Sequence, residues 1–379
     1  MALLYRLIKP FLFLLDPEVA HGLAGFWLRF WSRLFPRPRR VEQVGLSQRV
    51  LGLDFPNPVG LAAGLDKGDV VAPAYFALGF GFVEIGTVTP RPQAGNPKPR
   101  LFRLIPQRAV INRMGFNNPG MAVVQQRLQA LPRQPGPVGA NVGKNKDTPN
   151  EQAADDYVAA FRALAPHADY VAINVSSPNT PGLRALQGAE AIGLLVAAVA
   201  KARDELTASS GRRVPLLVKV SPDEPDDRLD AFADAALASG ADGLIATNTT
   251  LDRAAVSAHP RAGEQGGLSG APLREKALRA CARLYLRVGS RAPIVGVGGI
   301  ATAEDAYARL RAGATLVQAY TGVIYEGPTL ARQICEGLQR LLARDGLTIA
   351  QAIGKDAAAL AAASPAGAPV VQAAASAGK

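Results

Sequence analysis

Residues 216–250 read LLVKVSPDEPDDRLDAFADAALASGADGLIATNTT. An apolar run, Leu216–Val220, is short and rich in β-branched residues, as a buried strand requires. An Ala- and Leu-rich stretch with helical composition, Asp226–Ser239, follows it. A second strand-like run, Gly243–Ala246, closes the segment. Strand, helix, strand within about thirty residues is a parallel βαβ unit. The same alternation continues in both directions. Strands are expected at Val59–Ala63, Phe82–Val88, Val138–Val142, Tyr170–Val175, Ile294–Val297 and Leu316–Ala319 as well. Helices are expected at Pro119–Leu131, Glu151–Leu164, Ala189–Leu206, Ala271–Val288, Ala303–Ala312 and Pro328–Ala343. About eight such units in roughly 300 residues predict an α/β chain folded as a TIM (β/α)8 barrel. An open doubly wound sheet is the alternative, but no G-x-G-x-x-G follows the first strand. Two insertions interrupt the alternation, Pro90–Asn118 and Thr250–Gly270, and loops of that length at strand ends are often lids or binding loops.

The rest of the composition agrees. In 379 residues, 48% hydrophobic and 19% charged, a wholly disordered chain is excluded. With 38 Gly and 29 Pro, so is a coiled coil. Two cysteines, Cys281 and Cys335, make no disulfide framework, and His21, His167 and His259 match no metal-ligand spacing. No metal is expected.

The net charge of +11 admits a polyanion, an anionic membrane or an anionic ligand. Seven basic residues (Arg6, Lys9, Arg29, Arg33, Arg37, Arg39, Arg40) face two acidic ones, Asp16 and Glu18, within the first forty positions. Both tryptophans, Trp27 and Trp31, lie there four residues apart, among many Leu and Phe. Asp16-Pro17 reads as a helix cap followed by proline at the first helical position. Two helices follow from this, Ala2–Leu14 and Glu18–Phe35. No run is long enough to span a bilayer, and Asp16 interrupts the apolar run that a cleaved leader would need. An ordinary globular hairpin and an interfacial amphipathic hairpin both fit. The aromatic and arginine content favours the interfacial one, docked on an anionic membrane surface. The scattered remaining arginines form no nucleic-acid recognition motif.

In a TIM barrel, chemistry collects at the C-terminal ends of the strands. Those ends carry Ala62-Ala63-Gly64-Leu65-Asp66-Lys67, Thr87, Asn141, Asn174 with Ser176-Ser177-Pro178-Asn179, Lys219, and Thr247-Asn248-Thr249. The first insertion adds Asn112-Arg113-Met114-Gly115-Phe116-Asn117-Asn118. This set is rich in Asn, Thr and Lys and lacks paired carboxylates. Side-chain amides donate and accept in a fixed plane, so a ring of them suits a planar heterocycle with alternating C=O and N–H groups. Gly298-Gly299 and Tyr320-Thr321-Gly322 follow the last two strands, where this fold usually cradles a phosphate. The combination suggests a phosphorylated aromatic cofactor such as FMN.

At these residues the chain resembles the dihydroorotate dehydrogenase family, and specifically its membrane-associated, quinone-dependent class. The motifs are AAGLDK (62–67), GTVTPRPQ (86–93), NRMGFNN (112–118), GKNK (143–146), NVSSPNTPGLR (174–184), ATNTT (246–250), GLSG (267–270) and GVGGI (296–300). They occur in order across roughly residues 50–340. Soluble classes of the family carry Cys as catalytic base in the loop after the fourth strand, whereas this chain has Ser177.

The resemblance implies oxidation of dihydroorotate to orotate in pyrimidine biosynthesis, with FMN as hydride acceptor and a membrane quinone as final acceptor. Ser177 would remove the C5 proton. Lys67, Asn112, Arg113, Met114, Gly115, Phe116, Asn174, Asn179, Asn248 and Thr249 would hold the substrate. Ala63, Gly64, Leu65, Asp66, Lys67, Thr87, Asn141, Asn174, Lys219, Thr247, Gly270, Gly299, Tyr320 and Thr321 would surround FMN. Residues 1–40 would be the membrane hairpin, 41–345 the catalytic barrel, and 346–379 an Ala-rich disordered tail. The protein would lie peripherally on the cytoplasmic face of the inner membrane. Two other readings remain: a flavin barrel reductase acting on pyrimidine bases or modified tRNA, and a membrane-docking barrel without catalysis.

Overall fold

The computed structural model describes residues 2–35, 38 and 43–363. Eight parallel strands close a barrel, each bonded to its neighbours in sequence: β1 (Val59–Leu61), β2 (Phe82–Val88), β3 (Val138–Val142), β4 (Tyr170–Asn174), β5 (Leu216–Val220), β6 (Gly243–Ala246), β7 (Ile294–Val297) and β8 (Leu316–Ala319). Helices lie between the strands, including the short Ala72–Ala77, which composition alone did not indicate. Nearly every strand residue is buried, because one face packs on helices and the other fills the barrel.

The interior pairs large side chains with glycines. Gly60 is in register with Phe82, and a Cβ on Gly60 would lie 2.3 Å from the Phe82 ring. Gly139 is in register with Tyr170, and its Cβ would fall 2.1 Å from that ring. The antiparallel pair Gln48–Val50 and Leu53–Phe55 brings Phe55 edge-on to Phe82, with ring centroids 5.2 Å apart. Gly139→Ala is therefore expected to destabilise the barrel by about 1–3 kcal/mol through overpacking. Urea denaturation checks this, and an unchanged midpoint would mean that the Tyr170 ring has room to move.

The two insertions join. Leu101–Leu104 pairs with Ala109–Asn112, which pairs with Gly267–Gly270, in a three-stranded antiparallel sheet beyond the barrel's strand ends. Ser269 Oγ lies 2.8 Å from Thr321 Oγ1 and links this sheet to the segment after β8.

The N-terminal hairpin consists of α1 (Ala2–Leu14) and α2 (Pro17–Leu34). Asp16 caps α2, accepting from the backbone N–H groups of Glu18 (2.9 Å) and Val19 (3.1 Å). The hairpin rests on the loops after β8 and β1. Tyr5 donates to the Ile324 carbonyl, Lys9 to that of Tyr325, and Arg29 pairs with Asp69 at 2.7 Å. Phe11, Leu14, Phe26, Trp27, Phe30 and Trp31 are exposed. No described helix is long and apolar enough to cross a membrane. Two of the basic residues of this stretch, Lys9 and Arg29, bind the barrel; Arg37, Arg39 and Arg40 lie outside the described residues.

The expected disordered tail begins too early. Residues 346–363 fold: Thr348 and Gln351 form a reciprocal helix cap, and Ala357–Ala362 packs against the helix Arg274–Val288. Asp356 receives the Arg311 guanidinium at 2.5 and 2.7 Å. Small side chains allow this close packing, and the caps satisfy backbone groups that composition does not reveal. Positions 364–379 of that tail lie outside the described residues.

Candidate active site

A cleft opens at the C-terminal ends of the strands. It gathers Ala63, Gly64, Lys67, Thr87, Asn112, Met114, Gly115, Phe116, Asn174, Ser177, Asn179, Lys219, Thr247, Asn248, Thr249, Gly270, Gly299, Tyr320 and Thr321. Four expected site residues do not line it. Leu65 is half-buried beside the core. The Asp66 carboxylate accepts from the backbone N–H groups of Gly68, Val70 and Val71, so it shapes the loop after β1. Arg113 turns away, pairs with Glu264 at 2.7 Å and stacks over Phe102. Asn141 is fully buried beneath the wall.

The amides form a continuous chain. Thr87 Oγ1 donates to Asn141 Oδ1 at 2.6 Å. Asn174 Nδ2 donates to Thr87 Oγ1 (3.0 Å) and to Asn141 Oδ1 (3.2 Å). Asn248 Nδ2 donates to Asn174 Oδ1 (3.2 Å) and Ser176 Oγ (3.0 Å). Asn179 Nδ2 donates to Asn112 Oδ1 at 3.1 Å, joining the Ser177 loop to the antiparallel sheet.

Ser177 is 5% exposed, and its Oγ accepts from the Asn179 backbone N–H at 3.2 Å. That leaves its own proton free to be donated. Arg184 clasps the loop: it donates to the Ser176 carbonyl (3.2 Å) and the Thr249 carbonyl (3.1 Å), and pairs with Asp223 at 3.0 Å.

Two lysines supply positive charge, the half-buried Lys67 and the buried Lys219. Burial pushes the Lys67 ammonium down to about 8. Its Nζ lies 3.2 Å from Nε2 of His21 on α2. Burial, with the Lys67 charge second, depresses His21 to about 3, so its ring is neutral near pH 7 and can accept from the ammonium. Burial also lowers Lys219, opposed by the Glu84 carboxylate.

Sequence reasoning missed two participants, Gln318 and His21. Asn117 and Gln318 line the cleft, and the Asn117 Oδ1, Asn179 Oδ1 and Gln318 Oε1 acceptors are buried without a protein partner. Buried acceptors call for donors, and N–H groups on a planar imide-bearing ring would supply them. At the other end of the cleft the backbone is tightly folded. Gly299 has φ +73°, and a Cβ there would lie 2.5 Å from the Arg274 Cα. A flavin therefore fits the donor set: amides and lysines for the ring, and a glycine-lined turn for an anionic end. The signal for Gln318 was a polar residue inside an otherwise apolar strand. His21 gave none, because its contact with Lys67 is nonlocal.

These features define a (β/α)8 barrel with a cleft suited to a planar, anionic ligand. A profile described as dihydroorotate dehydrogenase matches residues 45–342. A relative from Anaeromyxobacter dehalogenans (strain 2CP-C), named dihydroorotate dehydrogenase (quinone), is 54% identical over 93% of this chain and 97% of its own length. Another of that name from Stenotrophomonas maltophilia (strain K279a) is 51% identical over 89% of this chain and 96% of its own. A crystal structure of DHODH from Eimeria tenella in complex with ferulenol superposes with a TM-score of 0.83 at 38% identity, covering 90% of this chain and 96% of that one. The chain belongs to the dihydroorotate dehydrogenase family.

Proposed function

We propose that the protein oxidises (S)-dihydroorotate to orotate in UMP synthesis, with FMN as the hydride acceptor and a membrane quinone as the final acceptor. The observation that carries this is the cleft itself: a buried serine on an amide-lined wall, with two lysines and three unpartnered acceptors.

Each side chain has a task under this reading. Ser177 takes the C5 proton; its closed loop keeps water away, and a weakly basic hydroxyl needs such surroundings. Lys67 binds the substrate carboxylate. Asn112, Asn174, Asn179, Asn248 and Thr249 match the ring's C=O and N–H groups, a positioning effect that lowers the entropic part of the barrier. Lys219 and Thr247 would face the cofactor ring, where Lys219 would stabilise negative charge. Gly270, Gly299, Tyr320 and Thr321 would hold its phosphate. FMN bound there would supply the hydride acceptor for the substrate and the electron donor for the quinone.

Quinones are lipid-soluble, so the route out runs toward the hairpin. Residues 1–40 are the docking unit and 41–345 the catalytic unit. The exposed apolar face of α1 and α2, with Arg6 and Arg33 also exposed, suits an anionic bilayer surface on the cytoplasmic side of the inner membrane.

Stopped-flow mixing tests the proposal. Dihydroorotate should bleach the flavin absorbance, and a quinone should restore it. Bleaching by NAD(P)H alone would point instead to a pyrimidine or tRNA reductase.

The Lys67 environment adds a pH dependence. Only the ammonium form attracts the orotate carboxylate, and the free enzyme loses that form as pH rises through about 8. The orotate dissociation constant should be flat near neutrality, then climb by up to about tenfold per pH unit above the break. Flavin-monitored titration measures it, and a flat profile through the alkaline range would remove Lys67 from carboxylate binding.

A further inference from the structure

Glu84 stands in the middle of β2, fully buried inside the barrel and below the cleft. Three donors converge on its two oxygens: Asn141 Nδ2 at 2.8 Å, Tyr170 Oη at 3.0 Å and Gln318 Nε2 at 2.9 Å. A carboxylate can only accept. Asn141 must therefore turn its NH2 toward Glu84 and its carbonyl toward the cleft.

The consequence propagates. The Asn141 carbonyl takes the Thr87 hydroxyl proton and an Asn174 N–H. Thr87, now a donor to Asn141, uses a lone pair to accept from Asn174. Both Asn174 N–H groups are thereby engaged, so its carbonyl faces Asn248 and accepts from that amide. Asn248 in turn presents its own carbonyl to the Thr249 backbone N–H at 2.8 Å. An amide is nearly symmetric in shape, so packing alone would hold each of these Asn side chains in either orientation. Donor-only backbone N–H groups of Ser176 (3.4 Å to Asn174 Oδ1) and Thr249 hold the same direction at the top of the chain; at its foot it is set by an acceptor-only group, Glu84.

We infer that Glu84 is a positioning residue that fixes the donor and acceptor polarity of the substrate-binding amides from beneath, through Asn141, Thr87 and Asn174. This rests on the orotate reading of the cleft. Gln318 gives the same carboxylate a second arm: with its NH2 on Glu84, its carbonyl is left as an unpartnered acceptor on the cleft wall.

The test uses the full-length, FMN-loaded protein and orotate binding read from the flavin spectrum. The wild type is titrated first; if it binds no orotate, the substrate reading fails rather than this one. Glu84→Gln keeps the volume but permits either orientation of Asn141. It should weaken orotate about ten- to hundred-fold, the cost of leaving a buried polar group mismatched. Moving the carboxylate one link up the chain, in Glu84→Gln/Asn141→Asp, restores an acceptor toward Thr87 and Asn174 and should recover most of the loss. Wild-type affinity in Glu84→Gln, or no recovery in the double variant, overturns the inference. If Glu84→Gln comes out colourless, the double variant decides alone: a yellow, orotate-binding protein supports the inference and a second colourless one overturns it.

Discussion

Ser177→Ala should slow flavin reduction by dihydroorotate about 10²–10⁴-fold, the range for a positioned acid–base group. Orotate should still bind with nearly the wild-type affinity. The Ser177 Oγ makes one local contact, to the Asn179 N–H, and the loop is held independently by Arg184 and by the Asn179–Asn112 amide pair. Removing the hydroxyl therefore takes away the base without releasing the loop. Single-turnover stopped-flow separates this step from quinone reduction. Reduction at wild-type speed would mean that another group removes the proton.

The second large effect concerns the hairpin. Phe26, Trp27 and Phe30 are 56%, 64% and 49% exposed and pack mainly on one another. Changing all three to Ser should leave the barrel and the dihydroorotate half-reaction intact. Binding to phosphatidylglycerol-containing vesicles should weaken about 100-fold. A large apolar side chain contributes ~1.5–3 kcal/mol when fully buried, and partial insertion of three gives roughly 3 kcal/mol. Turnover with a long-chain quinone should fall in parallel, while a short-chain, water-soluble quinone is reduced as before. Co-sedimentation and the two quinone assays check this, and unchanged vesicle binding would end the docking proposal.

The barrel was legible because each of its strands is an apolar run bounded by turn residues. All eight expected strands occur, several with identical ends, as at Val138–Val142 and Leu216–Val220. The hairpin was legible through Asp16-Pro17. The roof of the cleft was not: Gly267–Gly270 pairs with Ala109–Asn112 across more than 150 residues, and nothing local marks that pairing. Site residues were readable where motifs sit at strand ends. Reading each motif as a block, however, swept in Asp66 and Arg113, whose side chains bind other parts of the protein. Glu84 and Gln318 lie within strands rather than at their ends, and a charged or amide side chain inside a strand buried on both faces is itself a signal.

The contact between Glu18 and Arg100 carries a thermodynamic consequence. Glu18, in the first turn of α2, takes the Arg100 guanidinium at 2.7 and 3.2 Å. The same guanidinium holds the carbonyls of Ala94 and Asn96, and the Asn96 amide donates to the Asn179 carbonyl, two residues from Ser177. Under the docking proposal, these contacts couple the seating of the helix to the ordering of the loop. Whatever fixes the helix lowers the entropic cost of closing the loop. By reciprocity, a substrate that closes the loop tightens the seat of the helix by the same free energy. The bilayer, on this view, is an effector of the dihydroorotate site as well as the place where quinone is found.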